Sequence, residues 1–315
     1  IWGHMMARAN YAPHGQETVI RGTEVVGDSD LQARMYGDKA KPADVDIEIG
    51  GVVVPRMLEA QHMLFSGTTG AGKTQAINRV LRAVRQRGQR ALIADPAGGF
   101  FSRFARPGDV LFNPFDRRSV DWSPFAEIRH DYDCQRIAKA AVPDGTGEGA
   151  EWHHYAQTLL GETLLALHQR GERSVKRLLH YVSSADIKEL GELLAGTPAA
   201  ILCAKGNDKM LNNTRGIIAT YLGVWRYLPD AGTFSVREWV QDETRTGWLF
   251  VTYRDDQMAL LRYLVATWLE LAIVEGLSLS ENPTRRLWFI MDELDSLGKV
   301  TSLRGGLTKL RKYGG

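Results

Sequence analysis

The most informative segment of this 315-residue chain is Gly67-Thr68-Thr69-Gly70-Ala71-Gly72-Lys73-Thr74. It matches the pattern G-x-x-x-x-G-K-[ST] in full. The apolar run 62–66 before it predicts a strand. The segment 75–87 after it predicts a helix, because its apolar residues recur along one face. A strand, a glycine-rich loop and a helix in this order are typical of a phosphate-binding loop, in which backbone N–H groups and the helix N-terminus surround an anion.

The eight residues of this loop are therefore the predicted nucleotide contacts: Gly67, Thr68, Thr69, Gly70, Ala71, Gly72, Lys73 and Thr74. Lys73 would reach the β- and γ-phosphates of ATP as the catalytic cation, and the Thr74 hydroxyl would bind Mg²⁺. The alternative is a glycine-rich turn between a strand and a helix that holds no ligand. The pattern on both sides of the loop favours the nucleotide site.

An acidic pair far along the chain is the predicted partner of the loop. The apolar run 287–291 predicts a buried strand, and Asp292-Glu293 follows it directly. An acid at the end of a strand beside a phosphate-binding loop holds the water shell of Mg²⁺, so Asp292 is the second predicted metal residue. Glu293 is the predicted catalytic residue that polarises the attacking water. A strand-end acid in an ordinary surface loop is the alternative.

Three further apolar runs, at 90–95, 109–112 and 248–253, predict strands, and 256–275 predicts a long helix. Strands that alternate with helices indicate an α/β fold with a mostly parallel, covered sheet. The stretch 122–233 shows helical spacing without strand alternation. We therefore expect residues 1–121 and 234–315 to form a discontinuous nucleotide-binding domain, with an all-α domain inserted at 122–233.

The segments near the start and the end of the chain predict secondary structure from shorter patterns. Gly50-Gly51 between two apolar runs, 45–49 and 52–54, predicts a two-residue hairpin that extends the main sheet at one edge. The segment 296–313 predicts one helix, stopped by Gly314-Gly315. The chain opens on Ile1 as if in the middle of a protein, so we expect a longer natural protein.

Net charge does not point to nucleic acid, because 39 basic residues stand against 37 acidic ones. Any DNA-binding surface must therefore be a local patch. No window approaches the roughly 18 uninterrupted apolar residues of a membrane helix. Basic residues do recur locally, although a solvated surface is the ordinary interpretation of each group. The candidates are Arg79, Arg82, Arg85, Arg87, Arg90, Arg117, Arg118, Arg285 and Arg286.

Taken together, the motifs resemble those of the coupling ATPases of bacterial conjugation, and of their plasmid-conjugation branch, the TrwB type. The resemblance covers nearly the whole chain. It depends on Gly50-Gly51-Val52-Val53-Val54-Pro55, Asp95-Pro96-Ala97-Gly98, Asn113-Pro114-Phe115-Asp116, Trp122-Ser123-Pro124, Trp152, Met291-Asp292-Glu293 and Leu310-Arg311-Lys312-Tyr313-Gly314-Gly315. The chain departs from the family at Ala97 and Phe100, where members often carry Lys and Glu.

The resemblance implies a RecA-like nucleotide-binding domain with an all-α domain at one end, and six copies in a ring. ATP hydrolysis would move single-stranded DNA, with double-stranded DNA as the alternative, together with its attached relaxase. The implied partners are the relaxase and the ATPases of a type IV secretion channel. The family is anchored in the bacterial inner membrane by an N-terminal segment, with this part on the cytoplasmic face. Arg311, in the closing motif, would act as a catalytic arginine in the site of a neighbouring subunit.

Three other functions remain open from the residues. The chain could be an ATP-dependent docking adaptor that hands over protein cargo without moving DNA, or a pump for double-stranded DNA of the FtsK type. A small-molecule kinase with a phosphate-binding loop is the third. A DNA motor should turn over ATP faster when DNA is added, and a docking adaptor should not. Trp152 lies on an apolar stripe that favours core packing, and contact with DNA is its alternative.

Overall fold

The computed structural model describes residues 26–36, 46–68, 70–282, 284–297 and 299–315. The helices and strands before the helical region are α1 Asp28–Tyr36, β1 Glu48–Ile49, β2 Val52–Val53, α2 Arg56–Glu59, α3 Lys73–Gln86, β3 Arg90–Pro96, α4 Gly99–Phe104 and β4 Val110–Phe112. The helical region holds α5 Asp133–Ala141, α6 Ala150–Gln169, α7 Val175–Ser183, α8 Ile187–Leu193, α9 Asp208–Leu222 and α10 Val236–Gln241. The chain then forms β5 Leu249–Tyr253, α11 Asp255–Gly276, β6 Leu287–Met291 and α12 Leu303–Lys309.

The four longer strands form one sheet in the order β4-β5-β3-β6, and every neighbouring pair is parallel. This confirms the predicted α/β fold with a parallel central sheet. Side chains of successive residues in a strand point to opposite faces, so both faces of the sheet are apolar. Ile93 in β3 packs under α3 with Leu81, whereas its neighbour Leu92 belongs to the core shared with the helical region. The sheet is covered on both sides.

The predicted hairpin at Gly50-Gly51 is present, but its place in the fold is not the expected one. Strands β1 and β2 pair antiparallel, with Ile49 opposite Val52. They form a separate two-stranded sheet and do not extend the main one. Each strand is only two residues long, too short to compete with the longer parallel strands for an edge.

Two further predictions about elements are wrong. The run 62–66 forms no strand, because no other described strand lies next to it to supply ladder hydrogen bonds. The segment 296–313 is not one helix either. It contains a 3-10 turn at Leu294–Leu297, then α12, then a second 3-10 turn at Leu310–Tyr313. Gly305 and Gly306 lie inside α12 and weaken it as a helix former.

The first and last residues of the helical region lie next to each other. Phe234 N donates to Asp121 O over 3.0 Å, and Trp122 pairs with Phe234 in a short parallel bridge. A β-carbon at Gly232 would lie 2.4 Å from the carbonyl carbon of Trp122, so only glycine permits this approach. The domain division at 121/122 and 233/234 remains a prediction, because the helices share a continuous core with one face of the sheet.

Helix α11 connects these parts of the molecule. Among the described residues it is the one helix that is long and apolar enough to cross a membrane by length and composition, and 56% of its most apolar window is buried. Its side chains Leu264, Trp268 and Leu271 pack in the core shared by the sheet and the helical region. In this fold it is a central core helix.

Candidate nucleotide-binding site

The glycine-rich loop turns sharply and leads into α3. Gly70 and Gly72 have φ of 81° and 91°, a left-handed conformation that glycine adopts without steric cost. Gly72 is the N-cap of α3, so the helix begins at Lys73. The Lys73 ammonium donates to Gly67 O over 2.6 Å and to Thr68 O over 3.0 Å. Thr69 lies outside the described residues.

The glycine-rich loop is exposed to solvent, and the helix that follows it is packed against the sheet. Thr74 and the described residues of the loop before Lys73 are exposed, and Lys73 is half-buried. Behind them, Ile77, Leu81 and Val84 of α3 are buried against β3. The N–H groups in the first turn of a helix have no partner inside the helix. A rigid helix therefore aims free N–H donors and a hydroxyl at the space outside the loop.

The predicted acids lie at the carboxyl ends of two neighbouring strands. β3 and β6 run parallel with Ala94 beside Met291, which places Asp95 next to Asp292. Asp292 N donates to Ala94 O over 3.3 Å and continues this pairing. Asp292 is half-buried and Glu293 is exposed. The phosphate-binding loop and the acidic pair lie on separate segments, and no ion pair joins Lys73 to either acid in the described part of the chain.

Asp95 is a site residue that sequence reasoning did not single out. Its carboxylate is almost fully buried and accepts from Phe100 N over 3.0 Å and Phe101 N over 2.6 Å. Burial raises the pKa of Asp95 to about 6, the two N–H donors oppose this, and the charge of Asp292 adds to it. The available signal was an acid at the end of an apolar strand, followed by a Pro-x-Gly turn.

Tyr253 is the last residue of β5 and lies at the same edge of the sheet, next to Pro96 of β3. Burial raises the pKa of its phenol to about 12, and the carboxylates of Glu293, Asp292 and Asp95 contribute in the same direction. Tyr253 O accepts from Ala97 N over 2.7 Å, which ties β5 to the turn after β3. The charges of three carboxylates thus act on one buried phenol at this edge.

Glu293 has an unusual backbone conformation. Its φ is 55°, which costs a residue with a β-carbon roughly 1–2 kcal/mol. Ser296 N and Ser296 Oγ both donate to Glu293 O, over 2.9 Å and 2.7 Å, and hold the turn. Strain of this kind is common where a side chain must be aimed at a ligand.

Arg311 lies at the other end of the sheet. The segment that carries it packs beside the start of β6, where Leu287 N donates to Gly314 O over 2.8 Å. Arg311 is exposed, in the 3-10 turn Leu310–Tyr313. The five residue steps from Leu287 to Asp292 separate this end from Asp292 by about 16 Å, at roughly 3.3 Å per residue. The structure does not bring Arg311 together with the acids of its own chain.

The residues fit ATP and Mg²⁺. The loop offers backbone N–H donors and the Lys73 ammonium, which at present binds only carbonyl oxygens of its own loop. Mg²⁺ prefers oxygen ligands and keeps some of its waters, with one or two carboxylates and substrate phosphates completing its shell. Thr74 and Asp292 supply such oxygens. The described residues contain no group of three His, Cys, Asp or Glu that would hold a metal without phosphate.

Most of the arginines near the loop are structural. Arg85 binds the Asp109 carboxylate over 2.6 Å, and its guanidinium lies 3.5 Å from the centre of the Trp248 ring. Arg87 pairs with Glu59 over 2.8 Å. Arg90 is buried, donates to the carbonyl groups of Trp239 and Val240, and stacks over the Trp239 ring. These three are not available to DNA, whereas Arg82 is exposed.

Trp152 lies near the start of α6 and is half-buried. Its ring centroid is 5.9 Å from that of Tyr155, which packs against the main core. Trp152 is not among the residues of that core. The packing and the DNA-contact interpretations of this residue both remain predictions.

Comparison with known proteins gives consistent matches. Residues 46–315 match the family model described as "Type IV secretion-system coupling protein DNA-binding domain". The coupling protein TraD of Escherichia coli (strain K12) is 32% identical over 308 residues, which are 95% of this chain and 43% of TraD. This chain thus spans less than half the length of that relative.

Solved structures of the conjugative coupling protein TrwB are similar over most of the chain. The unbound ΔN70 form superposes with a TM-score of 0.86 at 40% identity and covers 94% of this chain and 69% of that one. The complex with the non-hydrolysable ATP analogue ADPNP gives a TM-score of 0.87 at 39% identity, with 97% and 72% covered. A third TrwB structure, with ADP and Mg²⁺, gives 0.85 at 40% identity, with 94% and 70% covered.

Proposed function

The chain belongs to the family of type IV secretion-system coupling proteins, and from this premise we propose that it is the ATP-driven motor part of such a protein. In this proposal it hydrolyses ATP and uses the energy to move single-stranded DNA with its attached relaxase toward a type IV secretion channel. It would work as a homo-hexamer at the cytoplasmic face of the inner membrane. The solved relatives carry an ATP analogue or ADP with Mg²⁺, which supports these two ligands here.

One observation carries the proposal. A glycine-rich loop with a lysine and a threonine at a helix N-terminus occurs in the same fold as three carboxylates at the carboxyl edge of a parallel sheet. Ligands of open α/β sheets bind at that edge. A phosphate-binding loop by itself would fit a kinase or a switch protein. The strained Glu293 directly after Asp292 supports a hydrolase instead.

Each residue then has a proposed task. Lys73 leaves its loop carbonyls and binds the β- and γ-phosphates, and the N–H groups of the loop hold the phosphate oxygens. Thr74 and Asp292 would hold Mg²⁺, which when bound neutralises charge on the phosphates. Glu293 accepts a proton from the attacking water. The buried Asp95 holds the turn 97–101 through two backbone hydrogen bonds and so keeps the edge of the sheet in place.

Replacement of Lys73 with Ala tests the nucleotide site. Phosphoryl transfer depends on positioning and on stabilisation of charge, so we expect turnover of ATP to fall by at least about 100-fold. Steady-state hydrolysis, with and without single-stranded DNA at modest salt, is the measurement. Lys188→Ala, at an exposed lysine of α8, is the matched control and should behave as the parent chain does.

The outcomes separate the competing functions. A parent chain whose turnover rises on addition of DNA, and a Lys73→Ala chain without turnover, support the motor. If DNA leaves ATP turnover of the parent chain unchanged and a protein partner raises it, the chain is instead a docking adaptor. Normal hydrolysis by folded Lys73→Ala protein would remove the basis of the assignment.

A further inference from the structure

Two aromatic rings meet on the surface where the helical region adjoins the sheet. Phe115 follows β4, and Tyr227 ends the 3-10 turn Gly223–Tyr227 after α9. Their ring centroids are 5.1 Å apart, at an interplanar angle of 61°. Phe115 is 39% exposed and Tyr227 is 47% exposed. Each ring is therefore partly packed and partly open to solvent.

The backbone under both rings is held in place. Asn113 Oδ1 accepts from Phe115 N over 2.9 Å, and Ser119 Oγ accepts from Asn113 N over 3.1 Å. On the other side, Trp225 is fully buried two positions before Tyr227 and anchors its turn. Rings presented on a rigid backbone lose little entropy when they bind a ligand.

Arginines lie next to both rings along the chain: Arg117 is two positions after Phe115, and Arg226 directly precedes Tyr227. Arg117 and Arg226 are exposed, and neither forms an ion pair within the described ranges. Arg118 is also exposed and binds Asp116 over 2.7 Å. Arg118 is neutralised by Asp116 and its guanidinium lies over the Phe101 ring, so Arg117 and Arg226 are the two cations that the segments carrying the rings offer to a ligand. We name Phe115, Tyr227, Arg117 and Arg226 the aromatic–arginine surface.

We propose that the aromatic–arginine surface binds single-stranded DNA, with bases stacked on the rings and phosphates bound by the two arginines. The proposal rests on the motor function above and identifies where that motor holds its substrate. Stacking platforms within a positively charged surface are how proteins bind single strands without regard to sequence. A DNA duplex keeps its bases stacked on each other and offers no open base face to such rings.

The position of the surface suits a motor. Phe115 follows the carboxyl end of β4, and β4, β5, β3 and β6 end at the same edge of the parallel sheet. β4 and β6 are three strand spacings apart, or roughly 15 Å. Bound DNA would thus lie at the edge of the sheet that carries Asp292. It would contact the segment after β4 through Phe115 and the turn after α9 through Tyr227.

Affinity for labelled oligo-dT, measured by fluorescence anisotropy, tests the two rings. Phe115→Ala and Tyr227→Ala should each weaken binding by about 5- to 100-fold, since stacking contributes roughly 1–3 kcal/mol per base. Tyr227→Phe should keep most of the affinity, because it keeps the ring. Tyr132→Ala is the matched control, because Tyr132 is an exposed tyrosine of the helical region whose ring stacks on His130.

The salt dependence of the same measurement tests the arginines. Each phosphate contact contributes about 0.7 to the slope of log K against log salt for a single strand, so Arg117→Ala and Arg226→Ala should each lower the slope by that amount. The ring variants should leave the slope unchanged. Arg103→Ala, at another exposed arginine, is the control.

Each result is decisive. If the parent chain binds oligo-dT and both ring variants bind equally well, this surface is not the site, although the motor function stands. If Tyr227→Phe loses as much affinity as Tyr227→Ala, the ring does not stack and the proposal fails. A parent chain that binds no single-stranded DNA would overturn this proposal and the DNA motor together.

Discussion

At the scale of single residues, Glu293 shows how backbone geometry prepares chemistry. Its φ of 55° and the two hydrogen bonds from Ser296 fix the turn from which the side chain leaves the end of β6. Asp292 keeps its backbone in register with β3, and Glu293 is the first residue free to point elsewhere. In the proposed mechanism Glu293 acts on water and Asp292 binds Mg²⁺, and these two roles require side chains that point in different directions.

Glu293→Gln should separate binding of ATP from its hydrolysis. Glutamine keeps the size of the side chain but cannot accept the proton, so we expect a loss of turnover of about 100-fold or more. Thr74, Asp292 and Lys73 are unchanged, and affinity for ATP should stay within a few-fold of the parent chain. Equilibrium binding of a fluorescent ATP analogue and steady-state turnover measure the two effects. A large loss of ATP affinity would mean that Glu293 has a structural role.

At the scale of elements, a buried polar network joins the two ends of the helical region. The Glu127 carboxylate is fully buried and accepts from Trp122 Nε1 and Val236 N over 2.7 Å each. Ser235 Oγ and Arg237 N donate to its other oxygen over 2.9 Å and 3.2 Å. Arg237 also binds Asp133 and Glu275, both over 2.7 Å. The segment before the helices is thus bonded to the segment after them.

Glu127→Gln should destabilise the fold although it removes only a charge. Three N–H groups and one hydroxyl surround the carboxylate, so the amide N–H₂ of glutamine must face at least one N–H donor without a bond, even if the Ser235 hydroxyl turns to accept from it. An unsatisfied buried group costs about 1–3 kcal/mol, and we expect a loss of that size. Urea unfolding at pH 7 measures it, with the exposed Glu192→Gln as the control. An unchanged midpoint would show that the network contributes no net stability.

At the scale of the whole molecule, the position of Arg311 is compatible with the role that we propose for it in a neighbouring subunit. It is exposed beside the start of β6, and the acids are at the end of the same strand. Tight packing keeps this segment in place, since a β-carbon at Gly306 would lie 3.0 Å from Ile273 Cγ2 of α11. Arg311 thus lies away from the acids of its own chain, and in the ring that we propose it would reach the nucleotide of a neighbouring subunit.

Mixing tests whether Arg311 acts in a neighbouring subunit. Arg311→Ala and Lys73→Ala should each hydrolyse ATP at least about 10-fold more slowly than the parent chain under conditions where they assemble. A mixed ring contains some sites with an intact loop from one subunit and an intact arginine from the next. Turnover of the mixture above the sum of its parts is the expected result. Full DNA-stimulated turnover by assembled Arg311→Ala protein would exclude the catalytic role, and Lys312→Ala is the control.

The patterns that predicted correctly are local ones. The turn of the glycine-rich loop with the helix that starts at Lys73, the hairpin at Gly50-Gly51 and the apolar run of β3 depend on contacts between chain neighbours. Such contacts depend on residues that are consecutive in the sequence, so the local pattern predicts them without knowledge of the tertiary structure. The TrwB-like motifs extended this to the family, because they fix which α/β fold the local elements build.

Tertiary structure decided what depends on partners distant in the chain. The run 62–66 is apolar enough for a strand, but a strand needs a neighbour, and no described strand lies beside it. Arg85 and Arg90 look like surface charges in sequence, and become buried because Asp109 and the carbonyl group of Val240 lie opposite them. Asp95 became a site residue only when β6 placed Asp292 beside it. Hydrogen-bond satisfaction and burial are properties of the packed chain, so no window of sequence contains them.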